Sequence, residues 1–190
     1  MVVMDEMTLR QEHTAFYRWS GKGVTPRVKT KRNPTTRVSF FGGLCLSDKK
    51  QVVHLTKKQN STEMIEFLET IKKKYTEQIE IQLTKHIETI AKINEKKEEK
   101  EKIYKGLILI CLDGAGFHRS KQLKRYLRDN YGIFELFRFP TYSPDLNPQE
   151  HVWKALRKHL SKVEGMYTFS EKVDRACRFL LTQKFDYKFV

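Results

Sequence analysis

The sequence predicts an α/β domain, a mixed sheet of about five strands flanked by helices, with a long helical insertion. Leu107–Leu112 is an unbroken apolar run of strand length. Val38–Leu46 and Gln51–Leu55, joined by Ser47-Asp48-Lys49-Lys50, read as an antiparallel hairpin. Amphipathic stretches with spacings of three and four lie between and beyond these runs and supply the crossover helices. At 190 residues the chain is long enough for one full domain with a sizeable core.

Val2–Met4 is the first core strand, and it opens the chain with no capping segment before it, so a preceding segment is expected upstream. Phe16-Tyr17-Arg18-Trp19 reads as a short strand. It leads through Gly21 and Gly23 into a basic, irregular arm with Arg27, Lys29, Lys31, Arg32 and Arg37. The hairpin follows. Ser61-Thr62-Glu63 then opens a helix, with Ser61 as cap and Met64, Ile65, Leu68 and Ile71 as its apolar face. The periodicity continues through Tyr75, Ile79, Leu83, Ile87, Ile90 and Ile93 until Asn94–Lys102 turns to mixed charge. Residues 72–104 are therefore expected to form one long helix or a helical hairpin, either a pairing arm or a solvated helix packed back on the body. After the Leu107–Leu112 strand come a basic amphipathic helix over Ser120–Asn130, with Leu123, Tyr126 and Leu127 inward, and a strand over Ile133–Phe139. A helix from Pro148 turns Val152, Leu156 and Leu160 to the core. The last helix, Phe169–Thr182, covers the sheet through Val173, Ala176, Cys177 and Leu180.

Lysine and arginine total 37 against 23 acidic residues, a formal charge of +14. That balance favours a polyanionic partner, with nucleic acid as the first expectation and a merely solvated basic surface as the alternative. Cys45, Cys111 and Cys177 are odd in number, far apart and in apolar surroundings. They read as buried thiols of a reducing compartment, neither a disulfide framework nor a thiolate zinc site. No apolar run approaches the roughly 18 residues of a membrane span, and the start lacks a signal peptide's basic and apolar regions, so an intracellular, soluble protein is expected.

Two acids stand at marked places. Asp113 sits at the mouth of the apolar strand, before Gly114. Glu150 lies in the first turn of a helix reached through a loop fixed by Pro140, Pro144 and Pro148. Each has a plain structural reading. Asn147-Pro148-Gln149-Glu150 is a good capping box, and Asp113 suits a strand-end turn. Asp5 and Glu6 could belong to an exposed terminus. Read as a set, Asp5, Asp113 and Glu150 offer the carboxylate oxygens that hard Mg²⁺ or Mn²⁺ prefers.

Asp113-Gly-Ala-Gly-Phe-His118 and Pro140-Thr-Tyr-Ser-Pro-Asp-Leu-Asn-Pro-Gln-Glu150-His-Val-Trp153 closely resemble two signatures of the three-carboxylate (DDE) transposases. The likeness is to the mariner-like superfamily and its bacterial and archaeal insertion-sequence relatives. Val2-Val3-Met4-Asp5-Glu6 resembles the first signature, an apolar strand ending in Asp-Glu, and Trp19, Gly23 and Pro26 are similar to another family arrangement. The resemblance implies a ribonuclease-H-like fold. It also implies a catalytic and metal-binding triad of Asp5, Asp113 and Glu150 for two Mg²⁺ or Mn²⁺ ions, with Glu6 as a reserve ligand. His118 would orient substrate or a metal-bound water, unless it is only a capping or packing histidine. DNA, as transposon ends and as target at TA dinucleotides, is the implied substrate, and the partners are a second copy in a homodimer and a helix-turn-helix domain, either missing upstream of this chain or carried on a separate polypeptide. Phosphate contacts are expected from Arg27, Lys29, Lys31 and Arg32 in the arm, Lys121 and Lys124 on the basic helix, and Lys154, Arg157 and Lys158 after Glu150. Helix-pair salt bridges are the alternative for the last three. In a prokaryote the protein would be cytoplasmic and nucleoid-associated. The rival functions are a non-catalytic DNA-binding transposon remnant and another ribonuclease-H-like nuclease.

Overall fold

Strict alternation organises the first strand, β1 (Val2–Arg10): Val2 and Met4 are buried on one face of the sheet, Met7 and Leu9 on the other. The computed structural model describes residues 1–11, 19–24, 35–78, 80–81, 84, 88, 108–140, 146–161 and 168–186. In chain order the remaining elements are β2 (Arg37–Cys45), β3 (Gln51–Thr56), α1 (Ser61–Lys74), β4 (Ile108–Leu112), a 3-10 turn (Gly116–Arg119), α2 (Lys121–Asp129), β5 (Phe134–Arg138), α3 (Pro148–Ser161) and α4 (Phe169–Thr182).

The strands form one five-stranded mixed sheet in the order β3-β2-β1-β4-β5. β1 pairs antiparallel with β2, and β2 with β3. The β1–β4 and β4–β5 pairs are parallel. On one face, α1 and α2 bury Met64, Phe67, Leu68, Ile71 and Leu123 against Val2, Met4, Phe41, Ile110 and Leu112. On the other, α3 and α4 bury Val152, Trp153, Leu156, Ala176 and Leu180 against Met7, Leu9, Phe40 and Leu44. The expected sandwich is thus present, with a separate apolar layer on each side of the sheet. Among the described residues no helix is long and apolar enough to cross a membrane.

The structure corrects four expectations. β1 does not end at Asp5-Glu6 but pairs with β2 as far as Arg10, because Met7 and Leu9 continue the alternation into the second apolar layer. The cap of α1 is Asn60, not Ser61: the Asn60 backbone is extended and its Oδ1 accepts the Glu63 N–H at 3.0 Å, while Ser61 is already helical. α1 stops at Lys74, although the apolar spacing runs on. Tyr75 caps it, buried and donating its hydroxyl to Asp48 at 3.1 Å, before helical turns resume at Thr76. Only Cys45 is a buried thiol, and Cys111 and Cys177 are half-buried. In the 72–104 arm, positions 76–78, 80–81, 84 and 88 are helical, while 79, 82–83, 85–87 and 89–104 lie outside the described residues, as do the Phe16–Trp19 strand apart from Trp19 and the basic arm with Arg27, Lys29, Lys31 and Arg32.

Candidate active site

The parallel register of β1 and β4 pairs Val3 with Cys111; Asp5 lies two residues beyond Val3 within β1, and Asp113 two residues beyond Cys111, just past the end of β4. Glu150 arrives from the opposite end of the sequence. Asn147 fixes that approach: its Oδ1 accepts the Gln149 N–H at 3.0 Å, and its side-chain amide donates to the Met4 carbonyl at 3.4 Å. The first turn of α3 is thereby attached to the strand residue preceding Asp5. Pro148 at the first helical position needs no N–H partner.

Asp5 points to the α3 face. Its Oδ2 accepts the indole N–H of Trp153 at 3.0 Å. Burial first, then the Glu150 charge, then that of Glu6 push the Asp5 carboxyl up to about 7, against the lowering effect of the Glu6 backbone and Trp153 hydrogen bonds. A half-buried acid under the charges of two neighbouring acids is costly for folding alone, and such arrangements gather at functional sites.

Glu6, next in the strand, points to the other face and meets His118. The His118 side chain is 1% exposed, its Nε2 lies 3.1 Å from Glu6 Oε1, and its Nδ1 lies 3.1 Å from Asp113 Oδ1 and 3.3 Å from the Asp113 carbonyl. Burial alone would lower the His118 pKa, but the Glu6 carboxylate and the Asp113 groups outweigh it and leave it raised. Both ring nitrogens face acceptors, which the doubly protonated imidazolium satisfies. The 3-10 turn positions this ring. Asp113 Oδ1 also accepts the Ala115 N–H at 2.9 Å, so the Asp113-Gly114-Ala115 turn and His118 hold one carboxylate oxygen together.

The structure therefore draws Asp5 to Glu150 and Trp153, and Asp113 to His118 and Glu6. Among the described residues, the set whose ligand atoms all lie within 4.8 Å of one another is Glu6, Asp113 and His118 rather than Asp5, Asp113 and Glu150. His118 meets the two acids through different nitrogens, which is the geometry of a hydrogen-bonded bridge between them. Lys121 and Lys124 are exposed on α2, and Lys154, Arg157 and Lys158 are exposed on α3, on opposite faces of the sheet. Asp145, in the proline loop, lies outside the described residues. Sequence reasoning gave Trp153 no role, since nothing local to it signals a partner 148 positions away.

A mixed five-stranded sheet between helical layers, with Asp5 on β1 and Asp113 just past the neighbouring β4, is the ribonuclease-H-like fold. The profile of the DDE superfamily endonucleases matches residues 1–173, and the chain belongs to that family. A stretch of 48 residues is 38% identical to the Transposable element Tcb2 transposase of Caenorhabditis briggsae, covering 25% of this chain and 17% of that protein. A pre-cleavage Mos1 transpososome has a similar fold, with TM-score 0.63 and 12% identity over 96% of this chain and 48% of the Mos1 chain. The catalytic domain of Mos1 mariner transposase is similar over 96% of this chain and 70% of that one, with TM-score 0.51 and 14% identity. The chain thus spans about half the length of the Mos1 chain in the transpososome.

Proposed function

We propose that this chain is the catalytic domain of a DDE transposase, cutting the ends of a mobile element and joining their 3′-hydroxyls to target DNA at TA dinucleotides. The observation that carries this reading is the half-buried Asp5, its carboxyl pushed up to about 7 by burial and by the Glu150 and Glu6 charges, on the strand that pairs in parallel with the one leading to Asp113. Membership of the endonuclease family and the likeness to Mos1 complexes, among them a strand transfer complex, support it.

Asp5, Asp113 and Glu150 would hold two divalent ions, Mg²⁺ or Mn²⁺. The donor set fits: three carboxylates supply hard oxygen ligands and no thiolate is involved. Mos1 paired end complexes with Mg and with Mn support the choice of ion. Bound there, such ions would supply Lewis acidity for activating a water or 3′-hydroxyl and for taking up charge on the leaving oxygen. The chain's own residues prepare that chemistry. Asp5 gives up the proton its surroundings retain, Asn147 holds Glu150 against the Asp5 strand, and Glu6 acts on Asp113 through His118 as an accessory support rather than as a ligand.

Lys121, Lys124, Lys154, Arg157 and Lys158, with Arg27, Lys29, Lys31 and Arg32 of the arm, take DNA phosphates, in keeping with the charge of +14. The working form is a homodimer paired through the apolar repeat after Tyr75, acting with a helix-turn-helix module that reads the element ends. In a prokaryotic host this places it on the nucleoid.

Cleavage of a labelled element-end duplex in Mg²⁺ tests the reading. Asp5→Ala, Asp113→Ala and Glu150→Ala should each abolish cutting and leave much of the nonspecific DNA affinity. Full cleavage by Glu150→Ala would reduce Glu150 to a helix-capping residue and overturn the triad.

A further inference from the structure

Trp153 is 1% exposed and spends its single polar atom on Asp5, the indole N–H donating to Oδ2 at 3.0 Å. The opposite strand is shaped to allow this. Gly42 pairs with Asp5 across β1 and β2, and a Cβ there would fall 2.3 and 2.5 Å from ring carbons of Trp153 and 2.6 Å from the Gln149 amide. Real Cβ contacts do not occur at such distances, so the ring occupies space that a glycine leaves open. Trp153 also lies three residues after Glu150 on α3, which puts the two on one side of the helix.

We infer that Trp153 is a positioning residue of the reaction centre: it fixes the Asp5 carboxylate through Oδ2 so that the other oxygen is presented as a metal ligand. An indole N–H is a donor only, so it neither binds a cation nor exchanges a proton in the reaction. One helix therefore delivers an acid, Glu150, and the group that orients a second acid, Asp5, and any shift of α3 moves both together. Partners that orient ligands in this way are worth roughly 10- to 100-fold in metal affinity. The inference rests on the metal-site reading above. The rival explanation is that Asp5 merely satisfies the buried N–H of an aromatic core residue.

Mn²⁺ binding to the whole chain, followed by the electron spin resonance of the free ion, separates the two. Trp153→Phe keeps the aromatic packing and loses the donor. Because that variant could lose fold as well, the closer probe is benzothienylalanine at 153, which replaces only the indole N–H by sulfur. Mn²⁺ affinity should fall about tenfold or more in both, with thermal melting of the sulfur analogue near that of the parent. Parent-like affinity in the folded sulfur analogue would overturn the positioning role and leave the metal site standing, with Asp5→Asn still losing the ion. Absence of saturable Mn²⁺ binding in the parent itself would overturn the metal site and the inference with it.

Discussion

The imidazole of His118 joins Glu6, on β1, to Asp113, just past β4, with contacts of 3.1 Å to each carboxylate. The Glu6 side chain is 9% exposed, so without the imidazolium its charge would be left almost wholly desolvated. Losing one partner of a buried pair costs about 3 to 5 kcal/mol. His118→Ala should therefore lower stability by about 3 kcal/mol in urea unfolding. Glu6→Gln, which keeps a polar partner for the ring, should cost less, and the double variant should cost less than the two singles added. Strict additivity would show that the two side chains do not act as a unit.

Titration of Asp5 and His118 makes stability fall as pH rises. The folded Asp5 binds its proton up to about pH 7, against an ordinary value of 3.8, so between those limits the native state holds the extra proton and each step upward favours unfolding. His118, raised above its ordinary 6.5, contributes stability that is complete below that value and is lost as pH passes its folded value. Both slopes have the same sign. In chelator, denaturant midpoints should decline from about pH 4.5 to pH 8, and Asp5→Asn should flatten the lower half of that decline. A parent profile parallel to that of Asp5→Asn would contradict the burial of Asp5.

Gly42 offers a packing test that needs no metal. Ala at this position must push aside the Trp153 ring and the Gln149 amide, both fully buried. Overpacking of this kind typically costs about 1 to 3 kcal/mol. Gly42→Ala should fall in or above that range and should also weaken cleavage. A Cβ at Gly116 meets nothing within 4 Å, so Gly116→Ala should stay within about 0.5 kcal/mol of the parent. Equal melting temperatures for the two variants would refute the close approach of α3 to β2.

Most of the sheet was legible because its signals are local. The apolar run of β4 and the alternation and turn between β2 and β3 need only neighbouring residues to be read, and Pro148 with Asn147 marks the start of α3 in the same way. The end of β1 was missed although Met7 and Leu9 keep the period of two, since the acids at Asp5 and Glu6 look like a terminus until the second apolar layer supplies a reason to continue. Asn60 and Ser61 are both good caps standing side by side, and only the backbone conformation selects between them. The supports of the site have no local signal at all. Trp153 meets Asp5 across 148 positions and His118 meets Glu6 across 112, so they depend on how α3 and the 3-10 turn pack on the finished sheet.

The exposed cations give the last prediction. Lys121, Lys124, Lys154, Arg157 and Lys158 are all open to solvent, on two helices that cover opposite faces of the sheet. Lysine and arginine that contact phosphates release condensed counterions, so affinity falls linearly on a logarithmic salt scale. If about five phosphates are neutralised, the slope should be roughly −4 to −5 for any duplex of a given length, because phosphate contacts carry no sequence information. Replacing Lys154, Arg157 and Lys158 together by glutamine should reduce the slope by about 2 to 3, at roughly 0.9 per contact. The same change at Lys121 and Lys124 should reduce it by about 2. Fluorescence anisotropy at several salt concentrations, with one arbitrary duplex, measures all three slopes. A parent slope preserved in the α3 triple variant would mean that DNA does not cross the outer side of that helix, and that its cations serve the helix alone through pairs such as Glu150 with Lys154.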